Sequence, residues 1–272
     1  MPRLGVLGWP VAHSRSPAMH TAALRELGLA AQWTYQLLPV PADLFAETAR
    51  ALPAAGFAGA NVTVPHKEAA LALADEATAA AQAIGAANTL TFAGGRDGVV
   101  VHADNTDAPG LLAALPADPR GATALVLGAG GSARAAIHAL HEAGAGRVLV
   151  WNRTPRRARA LARELGAQAV QPPLPAFDVL VHCTAAGLRQ GSDQLKDLPP
   201  LADHMSTGMS VVDLVYNASE TPLTALARER DVAVVDGLDV LVHQGALSLQ
   251  RWTGLPAPLA VMRAAARGGA GR

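Results

Sequence analysis

The sequence predicts an α/β protein of two domains, and three observations lead there. Apolar runs of strand length alternate with longer segments of helical spacing along the 272 residues, the pattern of βαβ units and parallel sheets. A stretch from Leu111 to Arg120, carrying Pro116 and Pro119, reads as a helix end and linker between two such series. After Asp236-Gly237 the strand pattern stops and only helical pattern remains, so those last helices need a surface to cover, expected to be that of the first domain. The expected division is 1–104 with 238–272 for one domain and 105–237 for the other.

In the first series, strands are expected at Arg3 to Trp9, Trp33 to Val40 and Ala58 to Val64. Helices are expected at Pro17 to Leu27 and Pro41 to Leu52, each with proline in its first turn, where the missing N–H costs nothing. Gly28 is the expected stop for the first of them. Thr89 to Phe92 and Val99 to His102, joined by Gly94-Gly95-Arg96-Asp97-Gly98, read as a β-hairpin. The second series runs through Ala124 to Leu127, Arg147 to Trp151, Val179 to Cys183, Val211 to Val215 and Val232 to Val235. Helices at Val240 to Arg251 and Pro258 to Ala266 follow, and the Gly-rich Arg267 to Arg272 reads as a frayed tail.

Composition narrows the function classes. Half the residues are hydrophobic and 16% charged, enough to build a sizeable core. Lys plus Arg equals Asp plus Glu at 22 each, so no global field draws nucleic acid or an anionic membrane. No apolar stretch approaches the roughly 20 residues of a membrane span. The single cysteine, Cys183, cannot form an internal disulfide, and the N-terminal Met1-Pro2-Arg3-Leu4 leads straight into a strand-like run, so a reducing cytoplasm is the expected location.

Leu125-Val126-Leu127 leads into Gly128-Ala129-Gly130-Gly131-Ser132-Ala133 and then an Ala-rich helix through Leu140. The first glycine permits a tight turn, the second lets backbone N–H groups approach a pyrophosphate, and Ala133 allows close helix–strand packing. The helix N-terminus then turns its positive end toward the phosphates. This is a Rossmann-like dinucleotide site. Its cofactor is read at the end of the next strand, Trp151-Asn152-Arg153-Thr154-Pro155-Arg156-Arg157. An acid that would hold free ribose hydroxyls is absent there, and Arg153 with Arg156 or Arg157 suits the 2′-phosphate of NADP, with Asn152 and Thr154 adding neutral hydrogen bonds.

The substrate residues are expected at strand ends of the first domain, where open α/β sheets bind ligands. Ser14 and Ser16, in Gly8-Trp9-Pro10-Val11-Ala12-His13-Ser14-Arg15-Ser16-Pro17, can donate two hydroxyls to a carboxylate, although Ser-x-Ser-Pro is also an ordinary helix-capping sequence. Thr63 precedes Lys67 in Asn61-Val62-Thr63-Val64-Pro65-His66-Lys67, Asn88 lies in Gly85-Ala86-Ala87-Asn88-Thr89, and Asp104 opens Asp104-Asn105-Thr106-Asp107. Together these groups suit a small polyhydroxylated acid. Lys67 and Asp104, if brought together, would make the proton relay that an alcohol/ketone redox reaction needs beside hydride transfer.

Over essentially its full length, with domain order and C-terminal helices included, the chain resembles the shikimate dehydrogenases. The resemblance implies NADPH-dependent, reversible reduction of 3-dehydroshikimate to shikimate, a step toward the aromatic amino acids, and no metal. It implies that Ser14 and Ser16 hold the substrate carboxylate, that Thr63, Asn88, Asp104, Tyr216 and Gln244 surround the ring, and that Lys67 and Asp104 are the acid/base pair. Leu214-Val215-Tyr216-Asn217 and His243-Gln244 match family motifs in place, and Gly237 and the Leu214 backbone are expected beside the nicotinamide. Three positions depart from the pattern: Thr21 and His182 stand where Asn is expected and Ala108 where Gly is expected, with His182 expected to alter how the loop Thr184 to Gly187 approaches the cofactor. Closure between domains and action as a monomer or homodimer are further expectations. Two rivals are a quinate or dual quinate/shikimate dehydrogenase using NAD, and a catalytically silent ligand-sensing module. Asn152-Arg153 and the paired serines speak against the first, the intact polar set against the second.

Overall fold

The computed structural model describes residues 1–95, 98–188, 194–216 and 220–268. The hairpin-turn residues Arg96 and Asp97, Asn217 of the Leu214 motif and the tail from 269 onward lie outside the described residues. In chain order the elements are β1 (Arg3–Gly8), α1 (Ser16–Glu26), β2 (Thr34–Pro39), α2 (Phe45–Ala51), β3 (Phe57–Val62), α3 (Lys67–Leu73), β4 (Glu76–Ala77), α4 (Ala79–Ile84), β5 (Thr89–Gly95), β6 (Gly98–Asp104) and α5 (Asp107–Ala114). There follow β7 (Thr123–Leu127), α6 (Gly131–Glu142), β8 (Arg147–Trp151), α7 (Pro155–Leu165), β9 (Gln168–Ala169), β10 (Val179–His182), β11 (Ser210–Asp213), α8 (Pro222–Arg228), β12 (Ala233–Asp236), α9 (Gly237–Thr253) and α10 (Leu259–Arg267). Two compact units result, Met1–Gly110 with Leu241–Arg272, and Leu111–Val240.

The first unit is built on a six-stranded sheet in the order β2-β1-β3-β5-β6-β4. The expectation of parallel sheets holds here only in part. β1 pairs in parallel with β2 and β3, but β5 runs antiparallel to both β3 and β6, because a hairpin puts β5 and β6 side by side without a crossover helix. Leu7, Phe45, Ala60 and Leu90 anchor one core face. The short helices α3 and α4, which no strong apolar period announces, frame the turns that carry polar residues to the strand ends. α1 closes as its sequence indicates, with Gly28 at φ +70° just beyond the C-cap.

The C-terminal helices return to this unit. α10 packs on α1. α9 crosses the sheet where Gly59 of β3 leaves room for Trp252, whose Nε1–H donates to the Leu90 carbonyl at 3.0 Å. A buried polar layer fastens the same helix deeper: Asn61 Nδ2 donates to Ser248 Oγ at 2.8 Å, and Ser248 Oγ lies 2.9 Å from Thr89 Oγ1 and 3.1 Å from Thr106 Oγ1. Tyr35 OH donates to Asn61 Oδ1 at 2.8 Å, which satisfies the amide from its other side.

Tyr35 also stacks on His20 of α1, ring centroids 4.1 Å apart. His20 Nδ1–H donates to the Ser16 carbonyl at 2.9 Å, whereas its Nε2 has no hydrogen-bond partner. Burial pushes this imidazole down from 6.5 to about 4, against the smaller opposing influence of the Ser16 and Gly245 backbone. The unfolded chain therefore takes up this proton below about 6.5 and the folded chain only below about 4, so stability falls as pH drops through that window. Between pH 7 and pH 5 the loss from this one group is about 2 kcal/mol. Urea unfolding of the protein and of His20→Phe at the two pH values checks it. The stability gap between them should shift by that amount in favour of the variant at pH 5.

The second unit is an all-parallel six-stranded sheet in the order β12-β11-β10-β7-β8-β9. Numbered within the unit, that order is 6-5-4-1-2-3, the doubly wound Rossmann arrangement, whose strand order reverses between β7 and β10. Leu125, Leu127, Leu149 and Leu180 are fully buried in its core, as central strands covered on both faces require. The bidentate pair of Arg134 on α6 with Glu164 on α7, both bonds 2.6 Å, ties two helices together and holds the Glu164 carboxyl below its usual range.

Candidate active site

In the first unit, three chain reversals deliver the polar groups. The turn after β3 ends with His66, which stacks on Phe45 at 4.4 Å and whose Nε2–H donates to the Val40 carbonyl at 2.8 Å. Burial pushes its pKa below the ordinary histidine value. With His66 fixed, Lys67 begins α3 and is only 8% exposed. Its carbonyl accepts from Ala87 N at 2.8 Å, which draws the Asn88 turn alongside. The third reversal is Asn105-Thr106, where Asn105 Oδ1 accepts from Asp107 N at 3.0 Å and Ala108 N at 3.3 Å and so starts α5.

These turns bring Lys67 to Asp107. Lys67 Nζ donates to Asp107 Oδ2 at 2.6 Å, with both side chains largely shielded from solvent. The expected pairing of Lys67 with Asp104 is therefore corrected. Asp104 is the last residue of β6 and is engaged elsewhere: Thr78 Oγ1 donates to its Oδ1 at 2.7 Å, and Arg251 of α9 forms an ion pair with its other oxygen. The two carboxylates are three residues apart across a strand-to-helix reversal, and only the second is delivered to the lysine. Lys67 itself opens a helix and does not sit at a strand end.

Asn88 organises the rest. Its Nδ2 lies 2.9 Å from Asp107 Oδ1, 2.9 Å from Thr106 Oγ1 and 3.0 Å from Gln244 Oε1, while its Oδ1 accepts from Thr106 N at 2.7 Å. Gln244 is held in turn by its Nε2–H to the Leu241 carbonyl at 2.7 Å. Gln244 can stand this near because α5 presents Gly110 to it: a Cβ there would lie 2.7 Å from Gln244 Cβ and 2.8 Å from its backbone nitrogen. Lys67, Asn88, Asp107 and Gln244 thus form one linked cluster. Sequence reasoning missed Asp107 as the lysine's partner, and Thr106 and Asn105 as its supports. The helix-start pattern Asn105-Thr106-Asp107 was the available signal for them.

Ser14, Ser16 and Thr63 lie on loops and starts of the same unit. Ser16 is buried at the first turn of α1, and its N–H donates to Ser14 Oγ at 3.3 Å. The Arg15 N-cap makes no side-chain cap bond, and Ser14 Oγ instead takes the N–H of the first helical residue, so Ser14 serves the helix start in part as the capping alternative allows. Thr63 packs its methyl on Gly8, where any side chain would collide.

In the second unit, the glycine loop has the geometry its spacing predicts. Gly128 has φ +126°, and a Cβ on it would lie 3.1 Å from the Cys183 carbonyl, so only glycine lets β7 turn this close to the end of β10. Gly130 is the extended N-cap of α6, with open space where its Cβ would be and no side chain capping the helix. Ala129, Gly131 and Ser132 are half-buried around it, and Ala133 is fully buried against the sheet. At the end of β8, Asn152 Nδ2 donates to the Thr154 carbonyl at 3.1 Å, which shapes the turn. Arg153 and Arg157 are exposed beyond it, and Arg153 pairs with Asp197 at 3.1 Å. Open glycine backbone, an uncapped helix start and cations without a neighbouring strand-end acid fit a dinucleotide bearing an extra phosphate. Gly237, first residue of α9, sits where a Cβ would be 2.6 Å from the Leu214 carbonyl, and Tyr216 follows on the same loop as Leu214.

Comparison with known proteins agrees with both halves. The shikimate dehydrogenase substrate binding domain matches residues 6–90, the shikimate/quinate 5-dehydrogenase family residues 113–215, and the shikimate 5′-dehydrogenase C-terminal domain residues 237–267. A shikimate dehydrogenase (NADP(+)) of Methylobacterium radiotolerans is 45% identical over 267 residues, covering 93% of this chain and 92% of its own. That of Thermus thermophilus is 45% identical over 272 residues, covering 98% of each. A crystal structure of shikimate 5-dehydrogenase from Thermus thermophilus in complex with NADP(H) and shikimate superposes with a TM-score of 0.86, at 42% identity, over 98% of this chain and 99% of that one.

Proposed function

The chain belongs to the shikimate dehydrogenase family, and from that premise we propose that it catalyses the NADPH-dependent, reversible reduction of 3-dehydroshikimate to shikimate. The observation that carries the reading is the 2.6 Å Lys67–Asp107 pair, shielded from solvent and linked through Asn88 to Gln244. NADPH, when bound, supplies the hydride; the glycine loop from Gly128 to Ala133, with Asn152, Arg153, Thr154 and Arg157, Leu214 and Gly237, would hold it.

Reduction of a ring ketone leaves an alkoxide that needs a proton. Lys67 supplies it from Nζ, and its positive charge stabilises the oxygen while negative charge develops. Asp107 accepts from the ammonium at 2.6 Å and so orients it. Asn88 holds the carboxylate by its other oxygen, so Asp107 is fixed from two sides. Ser14 and Ser16 hold the substrate carboxylate, and Thr63, Asn88, Tyr216 and Gln244 the ring and its hydroxyls. Asp104, with Thr78 and Arg251 as partners, supports the Asn88 turn through its backbone, where Asn88 N donates to the Asp104 carbonyl at 3.0 Å. The chain works in the cytoplasm, as a monomer or homodimer. Initial rates at 340 nm with shikimate or quinate and NADP+ or NAD+ test the proposal. Shikimate with NADP+ should give the highest kcat/KM by about tenfold or more, and a preference for quinate or NAD+ would overturn it.

A further inference from the structure

One buried network in the second unit serves no purpose in the chemistry above. His182, the last residue of β10, and Asp213, the last of β11, are both fully buried. His182 Nδ1–H donates to Asp213 Oδ1 at 2.7 Å, and Nε2 on the opposite edge of the ring bonds Thr184 Oγ1 at 2.6 Å. Thr184 Oγ1 also accepts from Ala186 N at 3.1 Å, so the ring's outer edge grips a loop that has just left the sheet. Asp213 accepts three further bonds, from Val215 N at 3.0 Å, Gln194 Nε2 at 3.1 Å and Thr221 Oγ1 at 2.6 Å. Gln194 is itself packed beneath Gly187, where a Cβ would come within 3.0 Å of it.

The position of this network gives it meaning. β10 lies beside β7 on the side away from β8, and the Cys183 backbone that follows His182 abuts Gly128 of the glycine loop. In a doubly wound sheet the first three strands take the adenosine half of a dinucleotide and the last three face the other half. The loop from Thr184 to Gly187 therefore forms a wall of the site, and a short peptide held at one end only would be free to swing. The imidazole bonds Asp213 and Thr184 from opposite edges of one rigid ring.

We propose that His182 is a positioning residue for the dinucleotide site, locking the Thr184–Gly187 loop to the Asp213 hub so that NADPH meets a preformed wall. This rests on the reading that the second unit binds NADPH. The test is titration of the full-length protein with NADPH, followed by the cofactor's fluorescence, alongside KM for NADPH and for the substrate. Thr184→Val and His182→Asn should each weaken NADPH binding roughly five- to thirtyfold, the effect of one well-placed buried hydrogen bond. The double variant should be no weaker than Thr184→Val alone, because both break the His182–Thr184 bond and Thr184→Val already takes the Ala186 bond with it. Thr184→Ser should bind as the parent does, and the substrate KM should stay within about twofold in all of them. Normal NADPH binding by Thr184→Val, multiplicative effects, or a Thr184→Ser as weak as Thr184→Val would each overturn the proposal. Thr184 is partly exposed, so its variants decide the matter even if His182→Asn does not fold. Since binding is read without substrate, a parent protein that binds NADPH but does not act on shikimate would sink the proposed reaction and leave this test standing.

Discussion

Lys67→Met should lower kcat for shikimate oxidation by about 10² to 10⁴-fold, the usual worth of a positioned proton-transfer group, while changing the substrate KM far less. Methionine keeps the unbranched stem that Lys67 threads past its buried surroundings, so the fold of the α3 start is retained. What is lost is the proton and the charge. The remaining carboxylate keeps its Asn88 bond at 2.9 Å and stays in place. A kcat within a few-fold of the parent in the same 340 nm assay would mean that Lys67 is not the proton donor.

Gly110→Val should have the largest effect on stability. The glycine lies where α5 meets α9, with the Gln244 backbone filling the place of its side chain: 2.8 Å to the nitrogen and 2.9 Å to Cα from a Cβ position. Backbone cannot move aside as a flexible side chain can, so the helices must part. Overpacking of this kind costs about 1 to 3 kcal/mol, more where backbone is the obstacle. Because Gln244 Oε1 accepts from Asn88 Nδ2 at 3.0 Å, parting the helices also loosens the site. Thermal unfolding should show a Tm lower by roughly 5 °C or more, with the substrate KM raised. A Tm unchanged from the parent would show that α5 and α9 are not packed as described.

Much of the fold was legible because it rests on local rules. Gly128-Ala129-Gly130-Gly131 after a buried strand announces a turn only glycine makes, and Gly128 makes it with φ at +126°. The return of α9 and α10 followed from apolar helices without a sheet of their own. The antiparallel β5 was half legible, since the hairpin was evident but its pairing with β3 was not. The partner of Lys67 was not legible. Asp104 and Asp107 are chemically identical and three residues apart, and the choice between them depends on where Asn105 starts a helix and where Arg251, 147 residues beyond Asp104, ends up. The Asn61–Ser248 and His182–Asp213 networks are equally invisible, because each joins residues distant in sequence through single side chains with no period. His182 stood out as a departure, but what it touches did not.

The central claim is that the proton-transfer pair is Lys67 with Asp107, and kcat of Asp107→Asn set beside kcat of Asp104→Asn tests it most directly. Both substitutions remove one charge with almost no change in shape. Asp107→Asn leaves Lys67 without its counter-charge and should lower kcat by about 10²-fold or more, whereas Asp104→Asn loses a half-exposed arginine's ion pair and should stay within about fivefold of the parent. A collapse of kcat in Asp104→Asn with Asp107→Asn close to the parent would contradict the account.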